Sequence, residues 1–171
     1  MPEPVIQREW WKYALVTVPA IVLVGSLSGW LSNSGYGNDW FDGLTKPFFM
    51  PPGWTFGLVW PILYALLGVS VALILAEPPA EARNKALLLF AVQLVLNFSW
   101  SPLFFAVHAV KISLVTIFVM AAIAAMAAGQ FWRMRRVAGA LMLPYLLWLC
   151  FAAALNGAID KLNPGADALL G

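Results

Sequence analysis

Five long apolar stretches, separated by polar or proline-rich links, set the pattern of this chain. They fall near residues 13–31, 54–76, 86–107, 112–132 and 137–159, and none contains Asp, Glu, Lys, Arg or His. Each approaches the ~20 residues that carry an α-helix across a bilayer core. Strand-like alternation over ten-residue units is missing, so a barrel does not fit, and open sheet edges do not survive in lipid. The pattern predicts an all-α membrane protein in which five transmembrane helices form one domain over residues 1–171.

The links differ in kind. Residues 77–85 are charged and proline-broken, whereas the third link, around His108 and Lys111, and the fourth, Arg133 to Arg136, are a few residues long. Links this short make successive helices antiparallel neighbours. The first link, residues 32–53, is far longer and carries Lys46-Pro47 and Pro51-Pro52. Long loops in compact proteins are commonly lids or binding loops, and a lid over the bundle is the expectation here.

Composition agrees with the pattern. Of 171 residues, 62% are apolar and 11% charged. Mean hydropathy is +0.82, whereas soluble domains carry roughly a quarter charged residues. A net charge of +2 without a basic patch gives no footprint for nucleic acid. The first apolar run exceeds the 7–15-residue core of a signal peptide, so it reads as a retained helix. Seven basic residues (Arg8, Lys12, Arg83, Lys85, Arg133, Arg135 and Arg136) fall on the N-terminal side, and Lys46, Lys111 and Lys161 on the other. The positive-inside rule then predicts a cytoplasmic N-terminus, with the long loop and the C-terminus outside, in a bacterial cell membrane. Trp10, Trp11, Tyr13, Trp30, Trp54 and Trp132 lie at helix ends and read as interfacial anchors.

Deeper aromatics need another account. Trp60 and Tyr64 lie one turn apart on the second helix; Gln93, Asn97 and Ser101 recur at four-residue steps on the third, with Trp100 beside them. Tyr145, Trp148 and Ala152 make a similar stripe on the fifth. Residues at i and i+3 or i+4 share a face. Interhelical packing and hydrogen bonding account for any one of these residues. Together they describe an aromatic-lined pocket with a few convergent polar groups, suited to a flat apolar ligand with polar edges. Pro19, Pro61, Pro102 and Pro144 interrupt four helices, either opening space or adapting the packing. Ala121, Ala125 and Gly129 form a small-residue line suited to close helix contact, within the bundle or across a homodimer.

Some chemistry is set aside. One histidine and one cysteine do not make a zinc or haem-iron site, and no carboxylate pair lies within the apolar runs. His108 reads as solvated beside a turn, and Cys150 as a buried inert thiol.

Four motifs carry a family resemblance. They are Trp40-x-x-x-Leu44-x-Lys46-Pro47-x-x-x-Pro51-Pro52, Trp60-Pro61-x-x-Tyr64, Gln93-Leu94-x-x-Asn97-x-x-Trp100-x-Pro102-x-Phe104-Phe105, and Pro144-Tyr145-x-x-Trp148 followed by Leu155-Asn156. In this order and spacing the chain resembles the translocator protein family, also called tryptophan-rich sensory proteins or peripheral-type benzodiazepine receptors. The resemblance implies a five-helix bundle, often dimeric, whose cavity binds porphyrins such as protoporphyrin IX or haem as ligands, and in some members sterols. It implies ligand contacts at Trp60, Asn97, Trp148 and Ala152; the aromatic stripes add Tyr64, Trp100 and Tyr145 as candidate contacts, and the loop adds Trp40, Phe41 and Phe49. The resemblance assigns no conventional catalytic residue; Trp60 and Trp148 would act if light-dependent porphyrin breakdown occurs. The implied role is a receptor or translocator in regulation or stress response, with porphyrin degradation and carriage of sterols or other lipophilic solutes as alternatives. Any ligand carboxylates are expected at the wet rim. The chain departs from the family at Phe41 and Phe49, where Tyr and Trp are common, and at Gly157-Ala158, where the sterol-associated motif carries an aromatic.

Overall fold

The computed structural model describes residues 9–170, and Arg8 of the charge count lies outside them. Among the described residues, five helical spans are long and apolar enough to cross a membrane: Trp10–Leu31, Gly53–Leu75, Glu81–Ala106, Val110–Met134 and Arg136–Leu162. Several are apolar around their whole circumference. Leu15, Leu23, Val95, Phe118 and Leu147 are more than half exposed, a surface compatible with lipid rather than water.

The elements in order are α1 (Trp10–Leu31), α2 (Asp39–Gly43), α3 (Gly53–Leu75), α4 (Glu81–Ser101), a π-helical turn (Pro102–Ala106), α5 (Val110–Met134), α6 (Arg136–Leu141) and α7 (Leu143–Leu162). Two spans are therefore broken. Pro102 cannot donate to the carbonyl four residues earlier. That carbonyl, on Phe98, accepts instead from the Ser28 hydroxyl of α1 at 2.6 Å. Beyond Pro102 the chain shifts to wider pairing, with the Val107 amide reaching the Pro102 carbonyl at 3.0 Å. The last span bends at Met142, just ahead of Pro144.

Helix α4 begins at Glu81, within the charged stretch that reads as a link. Glu81 and Lys85 form an exposed i,i+4 pair at 2.7 Å, and the Arg83 guanidinium donates to the Glu77 carbonyl at 2.7 Å beyond the end of α3. These residues are good helix formers, and their charges remain in water on the first turn.

Helices α1 and α3 pack in close register, because a Cβ on Gly68 would lie 2.6 Å from the Val18 Cα. The Thr17 hydroxyl donates to the Gly68 carbonyl at 2.8 Å. Ser70 reaches across to the Ala138 carbonyl at 2.8 Å. Within lipid such bonds are each worth about 0.6 to 2 kcal/mol. The small residues of α5 divide between two faces: Ala124, Ala127 and Ala128 are buried, while Ala125 and Gly129 face outward.

The loop from Ser32 to Pro52 is ordered by its own polar groups. Asn38 caps α2 by accepting from the Phe41 amide at 3.1 Å, and its amide reaches the Asn33 and Phe105 carbonyls. The Lys46 ammonium donates to the carbonyls of Phe41, Asp42 and Leu44 at 2.8, 3.3 and 3.3 Å, and lies 4.7 Å from the Phe41 ring centroid. Asn163, at the end of α7, bonds the Thr45 backbone through both amide atoms, at 2.7 and 2.9 Å.

Two expectations are corrected. Cys150 is exposed on the outer surface of α7 rather than buried, because the inward face of that helix is set by Tyr145 and Leu149. His108 is half-buried and stacks on Trp40 with ring centroids 4.2 Å apart. Its φ of 57° turns the chain sharply between the π turn and α5, which brings the imidazole under the loop.

Candidate functional site

A cavity of about 620 Å³ lies between α1, α3, the end of α4 and α7, with the long loop at one end. This is within the ~300–1,000 Å³ range of small-molecule sites. Four-residue spacing on α3 puts Phe56, Trp60 and Tyr64 on its inward side, and α7 contributes Trp148 and Ala152. Trp60 and Trp148 meet edge to face, centroids 6.3 Å apart at 85°, and form an aromatic corner. Trp60 also leans on Tyr64 at 5.3 Å, and Phe56 meets Trp148 at 5.9 Å.

Beneath that corner runs a line of hydrogen bonds. Tyr64 donates to the Asn97 Oδ1 at 2.9 Å, Asn97 Nδ2 to the Tyr145 hydroxyl at 3.0 Å, and Tyr145 to the Gln93 Oε1 at 2.9 Å. All four residues are buried. Each hydroxyl is both used and fixed, so the line holds the faces of α3, α4 and α7 in register. Only Tyr64 and Asn97 of the four reach the cavity surface.

Of the residues singled out from sequence, Phe41, Trp60, Tyr64, Asn97, Trp100, Trp148 and Ala152 line this cavity. Trp40, Phe49 and Tyr145 do not. Trp40 packs on His108 and on Phe104, Phe49 on Phe151, and Tyr145 is fully buried behind Asn97. Trp30, read as an interfacial anchor, is 77% exposed and also borders the cavity.

Sequence reasoning missed the α1 wall. Gly25, Ser26 and Gly29 border the cavity, and Gly25 allows the Tyr64 ring to lie where a Cβ would be only 2.2 Å from it. The Gly25-x-x-x-Gly29 spacing was the available signal. No Asp, Glu, Lys, Arg or His lines the cavity among the described residues. It can hold a flat apolar molecule and hydrogen-bond its edges.

The fold and cavity define a multi-pass α-helical membrane protein with an aromatic ligand-sized pocket inside its bundle. The TspO/MBR family model matches residues 16–162. The chain is 37% identical to the translocator protein of Sus scrofa over 155 residues, covering 86% of this chain and 92% of the relative. Over 124 residues it is 41% identical to the tryptophan-rich protein TspO of Archaeoglobus fulgidus, covering 72% and 80%. The tryptophan-rich sensory protein of Cereibacter sphaeroides is 35% identical over 126 residues, covering 74% and 78%. The chain belongs to the TspO/MBR family.

Proposed function

We propose that this membrane protein is a receptor or translocator for porphyrin-like tetrapyrroles, which bind in the intrabundle cavity and serve regulation or a stress response. The observation that carries this is the Trp60–Trp148 corner, two indoles at right angles above a polar floor. A macrocycle stacking on one indole meets the edge of the other, and such aromatic contacts add about 0.5–1.5 kcal/mol each beyond area burial. The loop acts as a lid, its Tyr36, Phe41 and Met50 covering the ligand's upper edge. Phe41 makes that cover greasier than the tyrosine common in the family. Protoporphyrin IX and haem enter as ligands rather than as resident cofactors.

Titration with protoporphyrin IX, followed by quenching of tryptophan fluorescence, tests the proposal. Trp60→Ala and Trp148→Ala each weaken binding at least tenfold if the corner is the site. Unchanged affinity in both puts the porphyrin elsewhere.

The same corner favours a second reading, photo-oxidative porphyrin breakdown. A tryptophan beside an excited porphyrin can donate an electron, with dioxygen as the oxidant. Illuminated, aerated samples would then lose the Soret band faster than free porphyrin, and loss of Trp60 or Trp148 would abolish the excess. Equal bleaching leaves binding alone.

The proposal includes a bacterial cell membrane with the N-terminus in the cytoplasm, following the basic residues that end α5 and begin α4. It also includes a homodimer, for which outward-facing Ala125 and Gly129 offer a close-contact surface.

A further inference from the structure

The cavity has polar groups of two kinds. On the floor, Tyr64 and Asn97 are satisfied by one another and by Tyr145. On the wall nearer the loop two side chains are not. Asn156 on α7 is 2% exposed and lines the cavity, yet neither its Nδ2 nor its Oδ1 has a hydrogen-bond partner among the described residues. The Nε1 of Trp100, in the same lining, is likewise buried and unpartnered. The Trp100 ring is fixed by stacking on Phe104 at 5.1 Å and edge-on contact with Phe105 at 5.9 Å. Leaving such groups unpaired in an apolar interior is costly, about 1–3 kcal/mol per group. Native buried amides are nearly always paired.

We propose that Asn156 and Trp100 form a subsite for one neutral carboxyl group, or a primary amide, on the edge of the bound ligand. With the Asn156 amide turned toward the cavity, the hydrogen-bond count closes. The acid O–H donates to Asn156 Oδ1, Asn156 Nδ2 donates to the acid carbonyl, and Trp100 Nε1 donates to that carbonyl's second lone pair. A neutral acid avoids the cost of burying a charge where, among the described residues, no cation lines the cavity. For a tetrapyrrole with two acid side chains, one turns inward to Asn156 and the other reaches the rim. This builds on the cavity as a ligand site and adds a preference for acid over ester.

The test compares protoporphyrin IX with its dimethyl ester on the full chain in detergent at about pH 4.5, where an ordinary carboxyl is partly protonated, by tryptophan quenching. Pyrenebutyric acid and its methyl ester repeat the comparison on a ring that is not a tetrapyrrole. The wild-type protein is expected to bind each acid about tenfold more tightly than its ester. Asn156→Leu, of similar size and beside apolar Leu155 and Ile159, removes that preference by weakening the acids, which lose two hydrogen bonds, more than the esters, which lose only the one from Nδ2. Trp100→Phe keeps a stacked ring, loses the N–H, and weakens acid and ester alike, because both carry the carbonyl that accepts it. An unaltered melting temperature shows that each variant is folded. Equal binding of acid and ester by the wild type in both series overturns the subsite, as does a preference that survives Asn156→Leu. If neither porphyrin binds while the pyrene acid keeps its Asn156-dependent advantage, the tetrapyrrole proposal fails and the subsite stands.

Discussion

Replacing Gly25 with alanine probes the contact on which the cavity floor depends. The added Cβ would lie 2.2, 2.4 and 2.8 Å from Cε2, Cζ and Cδ2 of Tyr64, and ordinary contact begins near 3.4 Å. The ring must therefore move by roughly 1.2 Å or α1 must lift away. Lifting is resisted at Gly68, where α1 and α3 already touch through backbone. Moving the ring stretches the 2.9 Å bond from Tyr64 to Asn97 to about 4 Å, beyond hydrogen-bond range. Overpacking costs about 1–3 kcal/mol, and the lost bond about 1 kcal/mol. The gain in helix propensity returns about 1 kcal/mol. A net loss of roughly 1–3 kcal/mol follows, read as a lower midpoint of thermal unfolding in detergent. In a Tyr64→Ala background the ring is gone, and Gly25→Ala becomes neutral or slightly stabilising. A Gly25→Ala protein more stable than wild type, or an equal cost in both backgrounds, would refute the close-contact account.

Three further outcomes follow from other parts of the structure. Lys46→Met frees three loop carbonyls at once, so amide hydrogen exchange across residues 38–46 is expected to rise at least tenfold, while exchange in α5 stays unchanged. At the C-terminal tail, burial pushes the Asp167 carboxyl up, but the amides of Lys111, Leu170 and Leu169 and the Lys111 charge outweigh it, holding the group below its ordinary 3.8. A depressed carboxylate stabilises the fold above its unfolded value and loses that contribution as pH falls through the folded one. The stability gap between wild type and Asp167→Asn is therefore full at neutral pH and narrows as pH falls through the folded-state value; a gap that does not narrow on acidification contradicts the assignment. Reporter fusions after residue 80 and after residue 170 should report opposite sides of the membrane, cytoplasmic and external respectively, and a reversed result would invert the proposed orientation.

Lipid makes some features legible and hides others. The five spans can be read from sequence because every backbone group in the bilayer must be paired within a helix, which demands long uncharged runs. Helix ends are less legible. Glu81 to Lys85 look like a link by charge, yet their backbone continues a helix into water. The break at Pro102 is visible, but the π turn after it depends on Ser28 from a distant helix satisfying Phe98. In the site, the α3 and α7 stripes could be found because bulky aromatics at helical spacing mark a face. The α1 wall could not be found that way: Gly25, Ser26 and Gly29 contribute by the space they leave. Trp40 and Phe49 sit among residues of the cavity rim in sequence but turn toward His108 and Phe151, a choice made by tertiary packing. Asn156 continues the Tyr145, Trp148 and Ala152 stripe one turn further, but its unpaired amide becomes visible only in three dimensions.

In the proposed function the ligand occupies the space between Trp60, Tyr64 and Trp148. Gly57 lies on that wall, one turn from Trp60, and a Cβ placed there meets nothing within 4 Å. A side chain at residue 57 therefore starts in open space, Gly57→Phe is chosen to project its ring into the cavity, and a glycine removed from a helix adds up to about 1 kcal/mol of helix propensity. Protoporphyrin IX affinity, measured from the shift of its Soret band in wild type and Gly57→Phe, is the most direct test. The account predicts that the variant melts no lower than wild type and loses at least tenfold in affinity. Wild-type affinity in a stably folded Gly57→Phe protein would contradict it.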